Sequence, residues 1–180
     1  MKKFINILIG MLVVLVCFVI QTTVLRGSTG LSFRPNLLII AVVSLSLFLG
    51  DTAGVFLGFF AGILCDICFG PLLGFHALLF AWTGYLCGRF TGILFIEDLK
   101  FPLLLIEVSD FLYCFCCYIF EFMFRARMFA GFFTTNYIIP EMICTLLTGV
   151  ILYPLLSLLY RRVMKEKTES QKRQERSEHA

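Results

Sequence analysis

The stretch from Arg34 to Arg89 decides the fold, and it reads RPNLLIIAVVSLSLFLGDTAGVFLGFFAGILCDICFGPLLGFHALLFAWTGYLCGR. These 56 residues carry only four formally charged side chains, namely Arg34, Asp51, Asp66 and Arg89. An apolar run of this length cannot be the core of a soluble domain in a chain of 180 residues. The stretch is therefore predicted to lie in a bilayer, whose core is about 30 Å thick and takes about 20 apolar residues per helix.

The composition of the whole chain supports the same interpretation. Hydrophobic residues make up 59% of the chain and the mean hydropathy is +0.93, whereas a soluble domain is about 45–50% apolar. Residues 1–160 have room for six membrane helices of about 20 residues each, with short loops and no separate soluble domain. The sequence predicts an all-α fold, a polytopic integral membrane helical bundle of about six transmembrane helices over residues 1–160.

Start and stop signals divide this apolar body into six predicted helices. Pro35 suits a first helical turn, Asp51 is a helix cap, and Gly70-Pro71 is a turn. The second and third helices are short, so we expect them to be strongly tilted or to form a re-entrant hairpin. The predicted ranges are Phe4–Leu25, Pro35–Gly50, Asp51–Phe69, Leu72–Phe95, Phe101–Phe124 and Tyr137–Tyr160.

Charge is distributed unevenly along the chain. Residues 1–160 contain eight Lys/Arg and eight Asp/Glu, while residues 161–180 contain seven Lys/Arg and four Asp/Glu. We expect this polar tail to be disordered and cytoplasmic, because it can bury little apolar surface. If both termini are cytoplasmic, eleven Lys/Arg lie inside and four outside, which agrees with the positive-inside rule.

Two glycine ladders indicate helices that pack closely. Small residues at every fourth position let the backbones of membrane helices approach each other. The close packing lies either within the chain or, as the alternative, at an interface with a second copy or with the transmembrane helix of a partner. The ladders are Gly54/Gly58/Gly62 and Gly84/Gly88/Gly92.

Ionisable side chains inside apolar helices are costly in lipid and usually face protein or water. Asp66 follows Gly62 by four residues, so it lies on the ladder face and close to the turn at Gly70-Pro71. We expect Asp66 to bind exposed amides at that turn or to pair with an arginine, with a partner-facing role or a proton or ion relay as alternatives. Glu107 and Asp110 share a helix face and are predicted to form a polar stripe toward the bundle.

The sequence contains no pattern that indicates catalysis. It has no GxSxG, HExxH or Walker motif. Its eight cysteines fall in apolar runs, without the second CxxC or the His pair of a metal site. His76 is expected to be a packed, hydrogen-bonded core residue. We therefore expect a protein that is not an enzyme and that has no cofactor, metal or nucleic-acid partner.

An ordered set of short motifs carries a family resemblance. It consists of Arg34-Pro35-Asn36-Leu37-Leu38, Gly54-xxx-Gly58-Phe59-xx-Gly62-xxx-Asp66, Gly70-x-Leu72-x-Gly74-xx-Ala77-Leu78 and Gly84-Tyr85-xx-Gly88-Arg89. With the chain length, the six apolar helices and the polar tail, these motifs resemble the rod-shape-determining MreD family. The family usually has Asp at the position of Asn36, so this chain lacks the charge for an ion pair at the start of helix two.

The resemblance implies a non-enzymatic component of the bacterial cell-elongation machinery in the cytoplasmic (inner) membrane. It implies MreC as a partner, together with the MreB filament, the glycosyltransferase RodA and its partner transpeptidase. It also implies a fold similar to the substrate-binding subunit of energy-coupling-factor transporters. We expect the glycine face, with Asp66 and Arg89, to be the rigid centre of the bundle, and one flank of it to receive the transmembrane helix of MreC.

Two other classes of protein remain as alternatives. A substrate-binding membrane subunit of a small-molecule transporter would need a pocket lined by polar residues from several helices. The chain has few polar side chains for such a pocket, namely Gln21, Ser44, Ser46 and Thr83. An intramembrane aspartyl peptidase would need two facing aspartates, and Asp66 and Asp110 are the only deep pair.

Overall fold

The computed structural model of the chain describes residues 2–27, 35–69, 72–91, 100–125 and 139–178. Within these ranges the chain forms six α-helices and no strand, which confirms the predicted all-helical fold. The helices are α1 (Lys2–Gly27), α2 (Leu37–Leu49), α3 (Asp51–Phe69), α4 (Phe75–Gly88), α5 (Lys100–Arg125) and α6 (Ile139–Glu178).

Four of the six helices are long and apolar enough to cross a membrane. The candidate spans are Ile5–Thr23, Asp51–Cys68, Lys100–Phe120 and Glu141–Tyr160. The two short helices are α2, with 13 residues, and α4, with 14 residues, and each is only about 20 Å long. Helix α3 has the predicted bounds and is 19 residues long, just enough for a span, while α2 is shorter than its predicted range. Whether the two helices are tilted or re-entrant stays a prediction.

Helix α2 is the centre of the bundle. It contacts all five other helices, and every residue from Leu37 to Phe48 is buried. This agrees with its sequence, which is apolar on all sides, as expected of a helix without a solvent face. Its two polar side chains, Ser44 and Ser46, donate hydrogen bonds to the carbonyls four residues earlier, both at 2.6 Å. No unpaired hydroxyl of α2 is thereby left in the apolar core.

Helix α4 is shorter at both ends than the predicted range Leu72–Phe95. It begins only after Gly74, whose φ of +103° is a conformation that favours glycine. It ends at Gly88, after which Phe90 and Thr91 make tight backbone bonds three residues back. The Thr91 hydroxyl also donates to the Ser46 carbonyl at 3.0 Å and so ties this turn to α2. Residues 92–95 lie outside the described residues.

Helix α6 is longer than predicted and continues from the apolar span to Glu178. The sequence predicted an end near Tyr160 and a disordered tail over residues 161–180. Residues 161–178 are rich in Lys, Arg, Glu and Gln, which are good helix formers. Extending an existing helix also avoids the costly nucleation step. The polar residues therefore continue the helix of the apolar span.

Candidate functional site

The glycine ladders bring α3 and α4 together as an antiparallel pair, called here the glycine hairpin. Its two helices make more residue contacts than any other pair of helices in the described residues. Every ladder glycine in the described residues faces the backbone of the other helix, and Gly92 lies outside them. The facing pairs are Gly54 with Gly84, Gly58 with Phe80, Gly62 with Ala77, and Gly88 with Asp51.

The helices of the glycine hairpin are so close that a side chain does not fit between them. A Cβ atom built on Gly58 would overlap the Phe80 carbonyl oxygen and lie 2.9 Å from the backbone nitrogen of Ala81. A Cβ atom on Gly84 would overlap the Gly54 carbonyl in the same way. The described ladder glycines therefore pack within the chain, which is the first of the two interpretations given above. The glycines themselves are consequently not available to a partner helix.

Asp66 joins the two helices at the end of the glycine hairpin where α4 begins. Its side chain is 2% exposed, and its two carboxylate oxygens accept hydrogen bonds from three backbone amides of α4 and the preceding residue. These are the N–H groups of Gly74 at 2.9 Å, His76 at 3.1 Å and Ala77 at 3.0 Å. The first amides of a helix have no partner within the helix, so a carboxylate from α3 supplies the cap. The exposed amides that Asp66 binds are thus those at the start of α4, while Gly70-Pro71 lies outside the described residues.

His76 completes this cap. Its Nδ1 lies 2.8 Å from an Asp66 carboxylate oxygen, and its ring packs near Tyr113 of α5, with ring centroids 5.9 Å apart. An ionised carboxylate accepts hydrogen bonds and cannot donate them. The contact therefore favours the His76 tautomer with the proton on Nδ1. The prediction that His76 is a packed, hydrogen-bonded residue is confirmed.

Arg89 is not brought together with Asp66, although both belong to the predicted site. Arg89 follows the last residue of α4, at the opposite end of the glycine hairpin from Asp66. It is exposed, and its guanidinium lies over the Tyr85 ring at 5.8 Å from the centroid. The alternative in which Asp66 pairs with an arginine finds no support among the contacts of the described residues.

The Arg34-Pro35-Asn36 motif leads into a second buried polar group at the start of α2. Arg34 lies outside the described residues. The Asn36 side chain accepts a hydrogen bond from the Ile39 amide at 3.4 Å, so it caps α2 as an Asp would. The backbone N–H of Asn36 donates to the Thr145 hydroxyl of α6 at 3.2 Å. The lost charge at Asn36 therefore leaves the cap intact.

Asp110 lies against this second group, apart from Asp66. It is completely buried, with the side chains of Asn36 and Thr145 beside it. Of the predicted polar stripe of Glu107 and Asp110, Asp110 thus faces the interior of the bundle. The two deep aspartates have different neighbours, which are the first amides of α4 for Asp66 and the side chains of Asn36 and Thr145 for Asp110.

Sequence reasoning missed Thr145 altogether and did not connect Asn36 with Asp110. The available signal was that Glu141 and Thr145 are four residues apart on one face of α6. Nothing in the sequence indicated that this face meets the start of α2. Among the described residues, no group of three His, Cys, Asp or Glu side chains could hold a metal ion.

Comparison with known proteins identifies the family. The model of the rod shape-determining protein MreD matches residues 1–163, which is nearly the whole chain and includes all six helices up to the polar part of α6. The chain belongs to the MreD family. It is therefore a membrane component of rod-shape determination, from a family of shape-determining proteins that is not a known enzyme family.

Membership of the MreD family fits the motifs that carried the resemblance. The glycines of these motifs form the closely packed hairpin, and Asp66 caps it. No curated protein and no solved structure matches the chain. The similarity of the fold to the substrate-binding subunit of energy-coupling-factor transporters stays a prediction.

Proposed function

We propose that this protein is a non-enzymatic scaffold of the bacterial cell-elongation machinery. In this proposal it binds MreC in the cytoplasmic membrane and helps to organise lateral peptidoglycan synthesis, in contact with MreB, RodA and the elongation transpeptidase. The observation that carries the proposal is the family match over residues 1–163. The excess of Lys/Arg on one side, eleven against four, supports a multi-pass topology with both termini in the cytoplasm.

The outer face of α4, defined by Leu78, Trp82 and Leu86, is our candidate for the MreC contact. These three side chains are spaced by four residues and are 68%, 63% and 39% exposed. The glycine hairpin holds α4 rigidly from the opposite side. Helix α4 is about 20 Å long, shorter than the hydrocarbon core of about 30 Å. A longer partner helix against this face would cover the mismatch.

The outer face of α4 replaces the flank of the glycine face that we expected from the sequence to receive the MreC helix. Substituting Gly58 or Gly88 by leucine would test MreC binding if these glycines faced the partner helix. Both glycines now face the backbone of the other helix in the hairpin. Such a variant would lose MreC because its own hairpin is disrupted, so an outward-facing residue is needed for the test.

Trp82→Ala is expected to weaken the association with MreC by roughly tenfold, because a buried tryptophan is a frequent source of binding energy at interfaces. Co-purification of MreC with the tagged full chain from its own host measures the effect. Leu147→Ala on α6 is the matched control, since Leu147 and Trp82 are both 63% exposed.

Unchanged co-purification by the Trp82 variant, or equal loss in both variants, would contradict the proposed contact. A second, differently tagged copy of the chain in the same cells tests the remaining alternative, which is self-association of the chain through this face. If Trp82→Ala reduces recovery of that copy and leaves MreC unchanged, the outer face of α4 is a homo-oligomer interface.

The transporter alternative has less support from the described residues. The hydroxyls of Ser44, Ser46 and Thr83 all donate to carbonyls of their own helices. The cavity that Gln21 lines, together with His76, has a volume of about 120 Å³. Pockets for small-molecule ligands are typically about 300–1,000 Å³. The scaffold is therefore the function that the chain supports best.

A further inference from the structure

An apolar groove runs between α1 and α6 beside the last turns of α2. Both helices pack against α2 and leave a gap that is lined mainly by aliphatic side chains. Its enclosed volume is about 30 Å³, whereas pockets for small-molecule ligands are typically about 300–1,000 Å³. The groove is therefore too narrow for a compact ligand and fits a thin apolar chain that lies along it. Its aliphatic lining includes Ile9 and Val13 of α1, Leu45 and Leu49 of α2, and Leu156 and Leu159 of α6.

One end of the groove lies where two candidate membrane spans have their limits. Tyr160 and Asn6 both line the groove, and one candidate span ends at Tyr160 while another begins at Ile5. The Tyr160 ring stacks on the Phe48 ring with centroids 5.0 Å apart, and its hydroxyl donates to the Phe48 carbonyl at 3.1 Å. Tyrosine is enriched at membrane–water interfaces. This end, called here the Tyr160 end, is therefore the end of the groove at the membrane surface.

Basic residues continue both helices beyond the Tyr160 end. Helix α1 begins with Lys2 and Lys3, about one turn before Asn6, and α6 continues from Tyr160 directly into Arg161 and Arg162. With a rise of 1.5 Å per residue, these four positions lie within about 6 Å of the groove-lining residues along the helix axes. Residues 1–10 and 156–165 contain no acidic residue. The apolar groove thus ends next to a concentration of positive charge.

We propose that the groove binds one acyl chain of an anionic phospholipid, whose phosphate headgroup lies at the basic ends of α1 and α6. The two parts of the site match the two parts of such a lipid, a thin apolar chain and a negatively charged group. Basic sites between membrane helices are known to bind anionic headgroups. The bound lipid would join α1 to α6 across the end of α2. This binding does not depend on the MreC contact, which we place on α4.

A lipid fits this groove better than the membrane helix of a partner protein does. A helix with its side chains is about 10–12 Å across, which is much wider than a groove of this volume. Several lining residues, among them Ile9, Val13 and Leu49, are only partly buried. The groove is therefore open to the surrounding bilayer, where acyl chains are the apolar groups at hand.

Thermal unfolding of the full-length protein in mild detergent tests the headgroup part of the site. Phosphatidylglycerol, which is anionic, and phosphatidylcholine, which is zwitterionic, are added with the same acyl chains. A ligand that binds only the folded state raises the melting temperature. We expect the wild type to reach half of its shift at an about tenfold lower concentration of phosphatidylglycerol, because each Lys or Arg near the surface adds to the attraction of anionic lipids.

Two double variants with the same change of charge locate the headgroup. Arg161→Gln/Arg162→Gln should lose most of the preference for phosphatidylglycerol. Lys172→Gln/Arg173→Gln is the matched control, since it removes two positive charges from the same helix about 16 Å further along its axis. We expect the control to keep the preference of the wild type.

A variant in the groove tests the acyl-chain part of the site. Leu159 lines the groove and is 45% exposed, so a larger side chain at this position can fold and occupy the gap. Leu159→Trp should reduce the shift with both lipids, because the acyl chain is common to them. Leu158→Trp is the matched control, as Leu158 is the neighbouring leucine, is 58% exposed and does not line the groove.

Three results would overturn the proposal. The first is an equal response of the wild type to the two lipids. The second is an equal loss of preference in the two double variants, which would mean that the general charge of the tail attracts the lipid. The third is a Leu159→Trp variant that responds to both lipids like Leu158→Trp. If that variant also loses MreC on co-purification, the occupant of the groove is a partner helix.

Discussion

Gly58→Leu is expected to separate α3 from α4 and to leave little folded protein in the membrane. Even a Cβ atom at position 58 overlaps the Phe80 carbonyl oxygen and approaches the carbonyl carbon to 2.6 Å. These are backbone atoms of α4, so they cannot turn away as a flexible side chain would. Overpacking in a well-packed core costs typically about 1–3 kcal/mol, and a leucine against rigid backbone should exceed the upper end of that range.

The expected loss is measured by thermal unfolding of the purified protein in detergent and by the amount recovered from the membrane. Gly58→Ala should give a smaller loss of stability than Gly58→Leu, and Gly149→Ala on α6 is its matched control. A Cβ atom on Gly149 meets only the Leu103 side chain, at 3.4 Å. Melting of Gly58→Leu at the wild-type temperature would contradict the close approach of the two helices.

Asp66→Ala is expected to destabilise the start of α4 by about 3 kcal/mol, because a helix cap is worth about 0.5–2 kcal/mol and each buried donor left without a partner costs about 1–3 kcal/mol. Three amide donors lose their acceptor in this variant, and His76 loses the group that fixes its ring. Thermal unfolding in detergent measures the loss of stability.

Two variants show whether the loss comes from the missing hydrogen bonds. Asp66→Asn keeps one acceptor oxygen and should lie between the wild type and Asp66→Ala. Asp51→Ala removes a carboxylate from the other end of the glycine hairpin, where it binds the Thr52 amide and hydroxyl, and should cost about 1 kcal/mol or less. Equal losses in Asp51→Ala and Asp66→Ala would contradict the capping role of Asp66.

The glycine hairpin and its cap could be predicted because their signals are local. A spacing of four residues places Gly54, Gly58, Gly62 and Asp66 on one helix face, and the dipeptide Gly70-Pro71, which lies outside the described residues, predicts a turn after it. The facing residues were not predicted in full. Gly58 meets Phe80 and Gly62 meets Ala77, so the two ladders do not pair glycine with glycine throughout. That register depends on where α4 begins, which Gly74 sets through its positive φ.

The second polar group could not be predicted, because it depends on tertiary packing. Asn36 and Thr145 are 109 residues apart in the sequence and meet through one hydrogen bond. Asp110 joins them only because α5 and α6 both pack against α2. The burial of α2 itself was also not predicted. An apolar helix of 13 residues is equally compatible with a position that faces lipid and with the buried centre of the bundle that α2 occupies.

The length of α6 was not predicted for a different reason. The polar composition of residues 161–178 indicates only that these residues do not build a core of their own. It does not exclude a helix that starts in the membrane and continues into water.

Depletion of this protein in its own rod-shaped host tests the scaffold function most directly. Cell width and the sites of new wall synthesis would be followed by microscopy, with wild-type and Trp82→Ala copies supplied in parallel. We expect depleted cells to round up with dispersed wall synthesis, and the wild-type copy, but not the variant, to restore rods. Normal rods with ordered wall synthesis under full depletion, and no second copy of the gene, would contradict a role in cell elongation.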